Sequence, residues 1–227
     1  MTFKLFVKEL NGNRVEGELV RTVAYSLITS FVILGILYFV SFRYMDNFIP
    51  KYGLYLFLAA LSYAFILPSV RQVRAYKQFA CMPGMMIGMT IGMIVGFLLG
   101  YYIGATNGMF YGSLFGMLIG IAFGILNGLC CGIMGFLEGI MAGFMGGIMG
   151  AMTAVMMIND NLRLASIIIF SISGIILLGL NYMIYKETRE SERQVKEDYT
   201  FTIFATLILT SATTWLMVLG PRSVLFQ

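Results

Sequence analysis

Histidine is absent from this 227-residue sequence, tryptophan occurs once, and only 11% of the residues are charged. Soluble domains carry about 25% charged residues, so the chain lacks the polar surface that keeps a protein in water. Without histidine it also lacks the commonest metal-binding side chain and the one that most often moves protons near neutral pH. These absences argue against a soluble protein and against a zinc site.

Enzyme motifs are missing as well. The sequence has no P-loop, no dinucleotide-binding glycine fingerprint and no nucleophile with a histidine base. We therefore expect that the protein is not an enzyme. Its net charge of +4 is small, and the basic residues are spread among the segments between apolar stretches, so no nucleic-acid binding is expected.

Long apolar segments fill most of the chain. Hydrophobic residues make up 59% of it, and the mean hydropathy is +0.86. A helix needs about 20 apolar residues to cross a bilayer, and Asn-Gly turn signals at Asn107 and Asn127 divide the longest run. The sequence thus predicts an all-α polytopic membrane protein, a single domain over residues 1–222. Its seven predicted transmembrane helices are 22–42, 52–70, 84–103, 108–126, 129–157, 164–185 and 199–220.

The two ends of the chain are predicted to lie outside these spans. Residues 1–21 combine apolar positions three and four residues apart with basic ones, which is typical of an amphipathic segment at a membrane surface. Residues 223–227 resemble the remnant of a protease-cleaved tag, and no function is assigned to them.

Lysine and arginine are distributed unequally between the connecting segments. With the N-terminus inside, eleven of them fall on the inner side and four on the outer side. Because cytoplasmic segments carry the excess of Lys and Arg, the sequence predicts a plasma (inner) membrane protein with a cytoplasmic N-terminus and an outer C-terminus.

Glycine recurs at every fourth position from Gly84 to Gly132. In water each such glycine would cost a helix about 1 kcal/mol relative to alanine, but in lipid small residues four apart let helix backbones approach closely. Spans three to five are therefore predicted to form a tight, right-handed three-helix unit, with spans one, two, six and seven around it. The glycines expected at helix contacts are Gly84, Gly88, Gly92, Gly96, Gly100, Gly112, Gly116, Gly120 and Gly124, continued in span five by Gly135, Gly139, Gly143 and Gly147.

Methionine is concentrated in the same helices, since 14 of 18 methionines lie between Met82 and Met157. Spacings of three and four residues place them on one face of each helix. They either fill gaps beside glycine, for which the flexible thioether is well suited, or line a path with sulfur. The methionines predicted to line such a path are Met85, Met89, Met93, Met134, Met141, Met145, Met149, Met152 and Met156.

All three cysteines lie close to these rows in the sequence. Thiolates and thioethers prefer Cu(I) to hard divalent ions, so a soft metal ion is the expected ligand. The predicted metal ligands are Cys81, Cys130 and Cys131 with Met82, Met145 and Met149. Free cysteines can also be small buried apolar residues, and this alternative stays open.

Glu138 is the only charged residue inside the predicted spans, and it stands between Met134 and Met141. Carboxylates within a membrane are costly and usually mark ion or proton paths. The alternative is a protonated carboxyl group that forms a hydrogen bond to a neighbouring helix. Glu138 is therefore predicted to belong to the transport path.

Two resemblances follow from these residues. The MxxxM pairs that begin at Met85 and Met141, set in the glycine frame, resemble the copper-uptake transporters of the eukaryotic high-affinity type, which pair an MxxxM helix with a GxxxG helix around a methionine-lined pore. Those transporters have three spans per subunit and a methionine-rich outer domain, whereas this chain has neither. The adjacent Cys130 and Cys131 are similar to the cysteines of small mercury-uptake membrane proteins.

The function expected from the sequence is a membrane transporter or channel for a soft metal ion, above all Cu(I), with no other cofactor. One alternative is a glycine-zipper channel or a proton-coupled transporter of another solute. A second alternative is a non-transporting membrane assembly or immunity factor. The expected partners are the lipid bilayer, the metal ion, and a second copy of the chain or a membrane partner protein.

Overall fold

A computed structural model of the protein describes residues 15–42, 48–76, 79, 81–129, 132–188 and 199–221. These residues contain no strand and form seven helices, each long and apolar enough to cross a membrane. In chain order they are α1 (Val15–Leu37, continued by a π-helical turn at Tyr38–Phe42), α2 (Phe48–Ala75), α3 (Cys81–Asn107), α4 (Met109–Gly128), α5 (Gly132–Met156), α6 (Leu162–Glu187) and α7 (Thr200–Leu219). The predicted fold class is confirmed.

Two helices extend well beyond their predicted spans. α1 begins at Val15 rather than at residue 22, so residues 15–21 are part of the first helix; residues 1–14 lie outside the described residues, as do residues 222–227. α2 continues past residue 70 and therefore carries Arg71 and Arg74 in its last turns. We name the end of the bundle with these arginines and Lys186 of α6 the basic end.

Glycines with positive φ mark the two reversals between α3, α4 and α5. Gly108 separates α3 from α4 with a φ of 106°, which suits glycine, so the turn predicted at Asn107 is confirmed. The turn predicted at Asn127 is wrong by a few residues, because α4 continues to Gly128 and the second positive φ, 71°, belongs to Gly132. Asn127 remains helical and donates a hydrogen bond from Nδ2 to the carbonyl oxygen of Phe123 at 2.8 Å.

α3 is the central helix of the bundle. It packs against α2, α4, α5, α6 and α7. Large side chains turned away from its glycines are fully buried, among them Ile87, Ile91, Leu98 and Tyr102. One side of α3 thus packs through bulky side chains, and the other packs through glycine.

The glycines of α3, α4 and α5 meet in five layers, each with one small residue from each helix. A Cβ atom built on Gly92 would lie 3.0 Å from Cα of Gly124 and 3.1 Å from the carbonyl oxygen of Gly139, so the backbones themselves are in contact. The layers, starting from the basic end, are Gly88–Gly128–Gly135, Gly92–Gly124–Gly139, Gly96–Gly120–Gly143, Gly100–Gly116–Gly147 and Gly104–Gly112–Ala151. The central glycine unit of the predicted fold is therefore present.

Backbone contact fills the interior of this three-helix unit. Apolar side chains gain nothing in lipid by leaving hydrocarbon for protein, so dispersion contacts between closely packed backbones drive the association. Gly146 and Gly150 add a second contact edge on α5, which meets the backbone of Met93 and Phe97 on α3. The sequence did not predict this edge, because Gly146 and Gly150 lie outside the four-residue repeats that begin at Gly84 and Gly135.

The other four helices do not surround the glycine unit as expected. α2, α6 and α7 pack against α3, and α1 packs against α2 and α7. α4 and α5 keep an outer face of exposed apolar side chains, such as Leu118 and Phe144. Lipid tails can cover these outer faces, because they are as apolar as the side chains themselves.

A buried ion pair joins α1 to α2 at the basic end. The Arg71 side chain is 5% exposed, and its Nη2 lies 3.0 Å from Oε2 of Glu18. The guanidinium carbon of Arg71 also lies 4.0 Å from the ring centroid of Tyr199, next to α7. The pair was not predicted, because both residues lie just outside the predicted spans.

Replacing Arg71 with glutamine should lower the free energy of unfolding by about 3 kcal/mol, because it removes the counter-charge of Glu18 at a mostly buried position. Unfolding in mixtures of SDS and mild detergent measures the change. Arg74→Gln is the matched control, since that guanidinium stacks on Phe201 at a partly exposed position and should contribute about 1 kcal/mol or less. Equal losses in both variants would contradict the stabilising role of the buried pair.

The orientation of the bundle can be tested at the two ends of α6, where Arg163 and Lys186 are exposed. In a chain whose cysteines are replaced by serine, Arg163→Cys and Lys186→Cys should react with an impermeant thiol reagent from opposite sides of the membrane. Lys186→Cys should react from the cytoplasmic side, because the excess of basic residues lies at that end. Reaction of both variants from one side would contradict this topology.

Candidate metal site

A cavity of 520 Å³ lies at the basic end, where the first turns of α3 meet α5 and the last turns of α6. Thioethers dominate its lining, together with two carboxyl groups and one ammonium group. The lining residues are Met82, Pro83, Met85, Met86, Met89, Glu138, Met183, Lys186 and Glu187. The structure thus brings together four residues that the sequence proposed for a metal path, namely Met82, Met85, Met89 and Glu138.

Local helix geometry explains why four methionines come from α3. Met82, Met85, Met86 and Met89 stand at positions i, i+3, i+4 and i+7, which share one face of a helix. Their side chains are reachable, because Met82, Met86 and Met89 are 82%, 57% and 49% exposed. The α3 methionines therefore form an open wall and not a sealed core.

The glycine layers position Glu138 against this wall. Glu138 precedes Gly139, which shares a layer with Gly92 of α3, and Met89 lies one helical turn from Gly92 toward the basic end. The Glu138 side chain is partly buried. Close backbone packing thus holds the carboxyl group next to the thioethers.

α6 closes the cavity with Met183, Lys186 and Glu187. With both glutamates ionised, the two carboxylates outnumber the single ammonium group, so the cavity carries one net negative charge. Such a charge favours a cation over an anion.

Most of the potential donor atoms in the cavity are soft. Its five thioethers are soft donors, and soft donors select Cu(I) over magnesium, calcium and manganese. Among the described residues, no group of three or more His, Cys, Asp or Glu comes together in a way that could hold a metal ion. The sulfur atoms of the cavity lining all belong to methionine.

The methionines of α5 lie elsewhere. They share the face of α5 that carries Glu138 but line no part of the cavity, and they point outward from the bundle with exposed fractions of 41–69%. These residues are Met134, Met141, Met145, Met149, Met152 and Met156. From Glu138 to Met156 this methionine face extends about 27 Å along the helix axis, nearly the thickness of the hydrocarbon layer.

Met93 occupies a third environment. It lines a separate apolar cleft of 300 Å³ between α3 and α6, with Ile94, Phe97, Ile169 and Ile172 among its neighbours. The lining of this cleft contains one sulfur atom, that of Met93, and is mostly apolar. It therefore adds no support to the predicted role of Met93 in a metal path.

The side chains of the three cysteines lie outside the described residues. Cys81 is the first residue of α3, directly before Met82, but its side chain lies outside the described residues. Cys130 and Cys131 also lie outside them, between α4 and α5. Their predicted role as metal ligands stays a prediction.

Four lining residues that carry a sulfur atom or a charge were not predicted from the sequence: Met86, Met183, Lys186 and Glu187. Met86 carried a signal, because it continues the face of Met82 and Met89 at helical spacing. The three α6 residues carried none, since only the packing of α6 against α3 places them here.

Comparison of the chain with protein-family models, with characterised proteins and with solved structures finds no match.

Proposed function

We propose that this protein binds a soft monovalent metal ion, above all Cu(I), in the methionine cavity and moves it across the membrane. One observation supports the proposal above all others: five methionines and Glu138 from three different helices line a single cavity at one end of the bundle. Thioethers bind Cu(I) reversibly and have little affinity for the hard divalent ions. A site for cargo must release its ion, and thioethers meet that need.

Transport would continue from the cavity along the methionine face of α5. Glu138 belongs to the cavity and to this face, so an ion could pass from the α3 methionines to Met141 and Met145. Since the interior of the glycine unit is filled by backbone, the route runs over its outer surface. Such a route needs a second wall, which a second copy of the chain would supply.

Copper binding tests the proposal directly. Purified protein with its cysteines replaced by serine is titrated without oxygen with Cu(I), in competition with a coloured Cu(I) chelator. We expect at least one Cu(I) per chain. The triple variant Met85→Leu/Met89→Leu/Met183→Leu should lose at least about tenfold in affinity, which corresponds to about 1.4 kcal/mol, while leucine nearly preserves the apolar volume.

Met145→Leu/Met149→Leu is the matched control, because both residues lie on α5 outside the cavity. It should bind Cu(I) as the parent does and lose copper uptake into liposomes. Failure of the parent to compete with the chelator would refute the binding site. Unchanged uptake by the Met145 and Met149 variant would refute the route along α5.

A further inference from the structure

α3 and α6 line two cavities, one after the other along the same pair of helices. The methionine cavity lies at the basic end, and the apolar cleft of 300 Å³ lies further from that end. On α6, Ile169, Ile172, Ser173 and Ile176 line the cleft, and Met183, Lys186 and Glu187 line the cavity. These spacings place all seven residues on one face of the helix. We name the cavity, the cleft and the strip between them the α3–α6 groove.

Gly179 occupies the strip between the two cavities on α6. It stands three residues after Ile176 and four before Met183, so it shares their face of the helix. A Cβ atom built on Gly179 would meet nothing within 4 Å. On α3, Met89 lines the cavity, and Met93, one turn further along, lines the cleft. Open space therefore continues beside Gly179 from one cavity toward the other.

The polarity of the groove changes along its length. At the basic end, Lys186, Glu187 and Glu138 supply one ammonium group and two carboxyl groups. The described lining of the cleft is apolar apart from Ser173. A site that is charged near the membrane surface and apolar at the depth of the hydrocarbon layer fits an amphiphilic ligand.

The dimensions of the groove match those of a membrane lipid. From Met183 to Ile172, α6 rises about 17 Å, close to half of a hydrocarbon layer about 30 Å thick. Ile172 and Ile176 are 53% and 46% exposed, so the cleft opens sideways toward the membrane. An empty cleft would forfeit dispersion contacts of its walls, and acyl chains are the material that the membrane offers at this depth. One chain can fill the cleft while its headgroup stays at the basic end.

The charges at the basic end of the groove select the headgroup. A lysine ammonium group binds phosphate, and carboxylates accept charge-assisted hydrogen bonds from a primary ammonium group. The headgroup of phosphatidylethanolamine carries both of these partners. An anionic phospholipid would satisfy Lys186 but would also place its negative charge beside Glu138 and Glu187.

We propose that the α3–α6 groove binds one molecule of phosphatidylethanolamine. Its phosphate lies at Lys186, its ammonium group lies at the carboxylates of Glu187 and Glu138, and one acyl chain passes Gly179 into the apolar cleft. The headgroup shares the methionine cavity with the proposed metal ion, but no step of this inference depends on the metal. The lipid experiments therefore contain no copper, and their failure would leave the copper proposal standing.

Lipid selectivity tests the headgroup contacts. Delipidated protein in detergent is titrated with palmitoyl-oleoyl phosphatidylethanolamine or with phosphatidylglycerol of the same chains, and native mass spectrometry counts the bound lipid. The parent should bind one phosphatidylethanolamine at least about tenfold more tightly, which is the effect of one charge-assisted hydrogen bond.

Lys186→Gln/Glu187→Gln preserves the net charge and should abolish this preference. Asp160→Asn/Arg163→Gln is the matched control, because it also removes one exposed charge of each sign, at the other end of α6, and it should keep the preference. Equal affinity of the parent for both lipids, or a parental preference in the Lys186 and Glu187 variant, would overturn the proposal.

Gly179 tests the path of the acyl chain. Gly179→Leu would fill the strip between the two cavities without meeting packed backbone, so it should fold and bind phosphatidylethanolamine at least about fivefold more weakly. Gly174→Leu is the matched control, because a Cβ atom there also meets nothing within 4 Å but lies off the lining face, and it should bind as the parent does.

A phosphatidylethanolamine whose chains are too short to pass Gly179 separates the chain from the headgroup. Gly179→Leu should leave the affinity for this short-chain lipid unchanged. Parental affinity of Gly179→Leu for the long-chain lipid, or an equal loss for both lipids, would overturn the proposed path.

Discussion

Replacing Gly143 with leucine should abolish folding of the three-helix unit. A Cβ atom at this position would fall on the backbone of Gly120 and Ile121, which cannot move without separating α4 from α5. Ordinary overpacking of a core costs about 1 to 3 kcal/mol, and a collision with backbone exceeds that range. The expected result is little monodisperse protein in size-exclusion chromatography and reduced helical content in circular dichroism.

Gly35 and Gly179 provide the matched controls. A Cβ atom at either position would meet nothing within 4 Å, so Gly35→Leu and Gly179→Leu should give parental yield. Gly116→Leu should fail as Gly143→Leu does, because its Cβ would lie 2.7 Å from the carbonyl oxygen of Gly96. If Gly143→Leu and Gly35→Leu were tolerated equally, the layered packing would be incorrect.

Replacing Glu138 with glutamine should weaken Cu(I) binding by about tenfold, which corresponds to about 1.4 kcal/mol, and should reduce copper flux by a similar factor. The substitution keeps the shape of the side chain and removes its charge, so the cavity loses its net negative charge. The loss is expected to be moderate because the carboxyl group is only partly buried and water screens its field. Competition titration and liposome uptake measure the two effects.

Removing a positive charge from the same cavity is the control, because it should change the affinity for Cu(I) in the opposite direction. Lys186→Gln removes the ammonium group and should tighten Cu(I) binding, while circular dichroism should show both variants to be folded. If both variants weakened binding equally, the effect would come from lost packing and not from charge. If Glu138→Gln matched the parent in affinity and flux, Glu138 would be a structural carboxyl group without a role in transport.

The central packing of this protein could be predicted from its sequence because glycine repeats with the period of the contact itself. Gly92, Gly116 and Gly143 all fall in the layers for that reason. The arrangement of the other helices could not be predicted, since apolar side chains face lipid as well as protein and their pattern does not mark the helix contacts. The Arg71–Glu18 pair was not predicted either, because its members lie outside the predicted spans, are far apart in sequence and meet only through packing of α1 on α2.

The candidate metal site was predictable only in part. Methionine spacing on α3 and the isolated charge of Glu138 indicated some of the side chains that could bind a metal ion. Met183 is a lone methionine on a helix rich in leucine and isoleucine, so its place in the cavity depends on the packing of α6. For α5, helical spacing identified the common face of Met145 and Met149, but periodicity alone does not say whether such a face turns inward or toward lipid.

A repeat that is identical on three helices leaves their alignment along the membrane normal undetermined. Sliding one helix by four residues, about 6 Å, would set glycine against glycine again at nearly every level. The alignment must therefore come from outside the repeat. Gly108 alone connects α3 to α4, and the neighbouring Asn107 donates a hydrogen bond from Nδ2 to the carbonyl oxygen of Leu216 on α7 at 2.8 Å. The vertical position of α4 against α3 is consequently fixed at this turn, a whole membrane thickness away from the methionine cavity.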